Sequence, residues 1–162
     1  MKNLCVVAFT TLVLSSAAMA QSKTDDFVKQ AATSDMVEIA AAKIALQKGN
    51  AAEKKFAHQM ITDHTKTSAE LKKLVAGVDS TALPTALDSA AQQKIDMLKT
   101  AKAGDFSASY DPMQVSAHQD AVTLFQDYSE NGDNPKLKQW AAKTLPALKH
   151  HLEMVQSLPH AM

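Results

Sequence analysis

The chain has 162 residues, with 17 Lys or Arg balanced by 17 Asp or Glu, and a formal net charge of zero. Every basic residue is Lys, so the forked guanidinium that reads bases and phosphates is missing, and near-neutrality removes the basic footprint of a nucleic-acid partner. Only four Gly and five Pro exclude collagen-like, low-complexity and turn-rich β architectures.

Residues 1–20 read as a secretory leader. Lys2 supplies the positive start, Leu4 to Leu14 is apolar except for Thr10 and Thr11, and Ala18-Met19-Ala20 is an A-x-A cleavage site. The apolar stretch is short for ~30 Å of hydrocarbon, so cleavage after Ala20 is expected rather than a retained anchor. Residues 21–162 then form one domain of about 140 residues, large enough to bury roughly two-thirds of its unfolded surface without a metal or disulfide. Cys5, the only cysteine, leaves with the leader. A cysteine-free mature chain has no disulfide, thiolate metal site, Cys nucleophile or c-type haem attachment. The expected location is the bacterial periplasm or the exterior, with no integral membrane segment after cleavage.

The rest reads as all-α. Ala, Lys, Leu, Gln, Met and Glu dominate, and strand-like runs of β-branched and aromatic residues are missing. Gly49-Asn50, Gly77 to Pro84, Gly104 and Asn131 to Pro135 punctuate the chain. They predict helices over about 24–48, 51–76, 86–103, 105–130 and 135–157. Gly49-Asn50 is a helix stop with a tight reversal, and Asn134-Pro135 an N-cap followed by Pro at the first helical position. Pro112 and Pro146 fall inside predicted helices, and Asp111-Pro112 is an alternative start for the helix at 105–130. Four helices of ~30–39 Å, with a short helix in the long crossover between the second and third, have the connectivity of a ferritin-like four-helix bundle. An up-down bundle with the short helix packed outside is the alternative.

Polar residues interrupt the apolar stripes. In the second helix the stripe runs Ala57, Met60/Ile61, His64, Leu71, Leu74/Val75. In the helix at 105–130 it runs Val115, His118, Val122, Phe125. In the last it runs Leu137, Ala141, Thr144, Leu148, His151, Val155, and in the first Phe27, Ala31, Ser34, Glu38, Ala41, Ala45. Glu38, His64, His118 and His151 each sit mid-helix, so four metal-capable side chains meet at one level. Such a set suits zinc, copper, iron or nickel. Asp63 is a further ligand or an orienting partner, and His150 and Glu153, three residues apart on an adjacent face, are alternatives. The competing reading is a buried hydrogen-bond network that fixes helix register. Met36, Met60, Met97 and Met113, spread singly, read as core filler rather than soft copper ligands.

These residues carry a resemblance. Ser34-Asp35-Met36-Val37-Glu38, Phe56-Ala57-His58-Gln59-Met60-Ile61-Thr62-Asp63-His64, Tyr110 to His118 and Leu145-Pro146-Ala147-Leu148-Lys149-His150-His151 resemble the exported bacterial ferritin-like family of unknown function DUF 4142. The likeness covers about 24–158. Tyr110 to His118 has one extra residue against the family spacing, and Asp111-Pro112 departs from the pattern. The resemblance implies an exported ferritin-like bundle with no established activity.

Di-iron chemistry does not follow. Such sites pair two Glu with two Glu-x-x-His motifs, and no Glu here is followed by His three residues later. No nucleotide-binding loop, G-x-S-x-G or H-E-x-x-H motif is present. Three functions remain: an envelope protein that binds a transition metal, a structural or stress-related bundle with a polar core network, and a small metal-dependent enzyme.

Overall fold

The computed structural model describes residues 23–76 and 82–159. The leader read at 1–20, part of the long connection and the tail at 160–162 lie outside the described residues. The elements are α1 (Lys23–Lys48), α2 (Ala51–Val75), α3 (Ser89–Thr100), a 3-10 turn (Ala103–Asp105), α4 (Phe106–Asn131) and α5 (Pro135–Gln156). No strand occurs among the described residues. None of their helices is long and apolar enough to cross a membrane.

Local chemistry sets the boundaries. Asn50 caps α2 by accepting from the backbone N–H of Ala52 and Glu53, while the Glu53 carboxylate accepts from Asn50 N at 2.7 Å, a reciprocal capping box. A Cβ at Gly49 would lie 2.7 Å from the Ala45 carbonyl and 2.8 Å from Glu53 Oε2, so only glycine fits the reversal. Helix α3 is three residues shorter at each end than the sequence pattern predicts. Asp88 accepts from Ala91 N at 2.8 Å and so caps the helix instead of joining it, and Ala101 turns to extended backbone. Helix α4 starts at Phe106, not at Pro112. Pro112 removes the hydrogen bond to the carbonyl of Ala108, but both residues are exposed, so water can take the freed acceptor. Pro146 and Ala142 in α5 are exposed in the same way.

The long helices pack as two hairpins, α1 on α2 and α4 on α5. These join more lightly through α1 against α4 and α2 against α5, and α3 lies over α1 and α4. Lys48 ties the crossover down. Its Nζ donates to the carbonyls of Leu98 at 3.2 Å, Ala101 at 2.8 Å and Lys99, placing a cation on the negative end of α3.

The apolar core falls into two halves. One gathers Val37 to Ala45, Phe56 to Met60, Ile95, Leu98, Phe106 and Tyr110 near the α1–α2 reversal. The other gathers Phe27, Val28, Ala31, Ala32, Leu71, Val75, Ala121, Phe125, Tyr128, Leu137, Trp140, Ala141 and Leu148 at the opposite end. There Phe27 stacks on Tyr128 with ring centroids 3.9 Å apart and meets Phe125 and Trp140 edge-on. Between the halves, mid-helix, lies a layer of buried polar side chains: Asp35, His64, Gln114, His118 and His151.

Candidate metal centre

Three of these side chains converge. His64 from α2, His118 from α4 and His151 from α5 are 3%, 1% and 2% exposed. Their ring centroids are 5.5–5.9 Å apart, and one nitrogen of each lies within 4.8 Å of the other two. All of these rings come from the predicted stripes. The stripe of α5 is buried throughout. In α4 the core face runs through Gln114, His118, Ala121 and Phe125, with Val115 and Val122 only half-buried.

Each imidazole is held from behind. His64 Nδ1 bonds Asp35 Oδ1 at 2.8 Å, and the same oxygen accepts from the Thr67 hydroxyl at 2.8 Å. His118 Nδ1 donates to the Gln114 carbonyl, one turn back, at 2.9 Å. His151 Nε2 donates to Asp63 Oδ2 at 2.8 Å, and Gln59 donates to that oxygen at 2.6 Å. The inner nitrogens, His64 Nε2, His118 Nε2 and His151 Nδ1, are buried and find no hydrogen-bond partner among the described residues. An unpartnered buried polar atom costs about 1–3 kcal/mol, and a ligand bound between the three rings would satisfy one nitrogen of each. Around a tetrahedral ion with bonds of ~2.0–2.1 Å the donors sit ~3.3 Å apart, so closing on an ion takes ring movements on the order of 1 Å.

Asp63 adjoins His64 in sequence but orients His151. Neighbouring helix positions point some 100° apart, so Asp63 faces α5 while His64 faces the core. Asp35 was missed by the sequence reading, although it lies three residues before Glu38 and therefore on the same face. Ser34, placed in the stripe instead, is only half-buried. Glu38 is 2% exposed, with Oε2 lacking a partner among the described residues. It is not part of the nitrogen trio, but its charge acts on both His64 and His118. His150 and Glu153 are exposed, 3.9 Å from one another, and stand outside the trio.

The electrostatics separate the rings. Burial opposes a charge on His64, but the Asp35 hydrogen bond and the charges of Glu38, Asp35 and Asp63 outweigh it and hold its pKa above the ordinary value. Burial dominates at the other two. It lowers His118 despite Glu38, and with the neighbouring histidines it lowers His151 to about 4 despite Asp63. Burial therefore biases His118 and His151 toward the neutral form, the state in which imidazole nitrogen binds a metal. Tyr110 and Gln114 are fully buried, and burial plus the charges of Glu38, Glu53 and Asp111 push the Tyr110 phenol upward, so it stays protonated.

The profile of the family described as a domain of unknown function, DUF4142, matches residues 10–158. No curated protein matches the chain. Among solved structures, CopM in its Cu(I)-bound form is similar at a TM-score of 0.68 and 18% identity, over 85% of this chain and 94% of that one. CopM in its Cu(II)-bound form is similar at 0.68 and 19%, and in its silver-bound form at 0.67 and 20%, over 85% of this chain in each case and 95% and 94% of CopM. At these identities the likeness is one of fold.

Proposed function

The chain belongs to the DUF4142 family, and from the geometry of its polar layer we propose that it is an exported envelope protein, a ferritin-like four-helix bundle that binds one transition-metal ion in its core. His64 Nε2, His118 Nε2 and His151 Nδ1 supply three ligands. Glu38 is the nearby carboxylate that offsets the charge. The observation that carries this reading is the asymmetry of the rings: each outer nitrogen is held by a protein acceptor and each inner one has no partner among the described residues. A hydrogen-bond network alone would use both sides. Neutral nitrogen donors with one carboxylate suit copper or zinc, and nickel or iron less closely. That proteins of similar fold are described with Cu(I), Cu(II) and silver bound supports copper first. The A-x-A leader supports export.

Elemental analysis of the chain purified from periplasm, beside a His64→Ala/His118→Ala double variant, tests the reading. Near-stoichiometric metal lost in the variant is the expected result. A metal-free native chain, under copper- and zinc-replete growth, would end it. The outer bonds to Asp35, Gln114 and Asp63 favour a second reading, a register-fixing structural layer. In that case the thermal midpoint is the same with metal and with chelator.

A further inference from the structure

The trio is buried, so an ion needs a way in. A groove of about 420 Å³ runs between α1, α3 and α4, over the lightly packed seam between the two hairpins. Its inner wall includes Glu38 on α1 and, on α4, Ala117 and Ala121. These flank His118, and Ala121 shares its face at a spacing of three. Glu38 thus lines the groove, its buried Oε2 has no partner among the described residues, and its charge acts on His64 and His118. At the mouth, Asp26, Asp88 and Asp120 outnumber Lys29 and Lys94. With Glu38 the groove carries a net negative charge, which concentrates cations.

A second crevice, about 100 Å³, opens beside Asp63, Thr67 and Thr144 between α2 and α5. It reaches the wrong side of the site. Asp63 there is committed to the outer nitrogen of His151, and the inner nitrogens lie beyond the ring.

We infer that the α1–α3–α4 groove is the entrance through which a metal cation reaches the three histidines, with Glu38 at its inner end as the carboxylate that takes the ion from solvent and hands it to the imidazoles. This rests on the metal-binding reading and adds a route to it. Thr33, Ser34, Ala117 and Ala121 give the groove small walls, and the Glu38 carboxylate is an oxygen donor that an entering cation would meet before the imidazoles.

The test separates rate from affinity. Metal-free protein is mixed with Cu(II) in a stopped-flow instrument and loading is followed by the copper absorption; release is followed into excess EDTA. Thr33→Trp and Ala90→Trp place an indole in the groove from opposite lips, and Ala147→Trp fills the Asp63 crevice as a control. Loading and release both slower by roughly tenfold or more in the groove variants, at unchanged affinity and with Ala147→Trp at the native rate, is the expected result. Glu38→Gln slows loading as well. Native rates in both groove variants, or slowing confined to Ala147→Trp, would overturn the route while leaving the site intact. A native chain that takes up no Cu(II) at all would instead remove the metal reading, and the route with it.

Discussion

At the scale of single residues, the layer divides into groups that would bind and groups that hold them. Asp35→Asn keeps the volume of the side chain and loses the charge that fixes the His64 ring. A roughly 10–100-fold loss of metal affinity with unchanged helicity is expected, read by competition against a chromophoric chelator. The metal-free protein also carries a proton signature. His151 stays neutral in the fold until about pH 4, whereas in the unfolded chain it protonates near 6.5. Between those values the unfolded state holds the extra proton, so stability is present above the unfolded pKa and is lost as pH falls toward the folded one. His118 acts with the same sign, and His64, whose pKa is raised, acts with the opposite sign. Denaturant titrations of metal-free protein at pH 7 and pH 4.5 are expected to show a loss on the order of 2 kcal/mol attributable to His151. A His151→Gln variant that loses as much stability as the native chain over that range would contradict the assignment.

The helices themselves were legible because each carries a strong local signal. Gly49-Asn50 and Asn134-Pro135 mark reversals whose chemistry is the same in the fold as in the sequence: a close approach that admits only Gly, and capping side chains on exposed amides. Asn50→Ala is expected to cost about 1 kcal/mol in denaturant unfolding, since two amides of α2 lose their acceptor. The crossover was less legible. Nothing in the residues around 86–103 says that Asp88 leaves the helix to cap it, or that Lys48, some fifty positions earlier, grips the carbonyls at its far end. Lys48→Met should therefore speed hydrogen exchange at the C-terminal end of α3 more than in α1 and α2, because the ammonium holds the carbonyls of Leu98 and Ala101 there. Asp63 illustrates the same limit. Periodicity gives the face of a helix that points inward, but the partner of a residue one step off that face is decided by which helix lies beside it.

For the whole molecule, two apolar halves with a polar layer between them are an arrangement that would suit one bound ion. The halves supply folding stability, and the layer is free to be shaped for a ligand. The meeting of His64, His118 and His151 was readable because mid-helix positions meet at one level whichever way the helices run; Glu38, read with them, is buried but does not join the three nitrogens. The holding groups behind the rings were not, since Asp35 and Gln114 belong to the layer only once packing sets the rotation of α1 and α4. Metal that binds only the folded chain stabilises it by mass action, about 2.7 kcal/mol at a hundredfold excess over Kd, so the thermal midpoint should rise by several degrees on saturation and fall back with chelator. A midpoint indifferent to both favours the structural reading.

The most direct test of a core metal centre is an anomalous-difference map from crystals of the chain loaded with copper or zinc. A single strong peak ~2 Å from His64 Nε2, His118 Nε2 and His151 Nδ1 is the result expected of three converging nitrogen ligands. Density confined to surface groups such as His150 and Glu153, with none between the three rings, would contradict it.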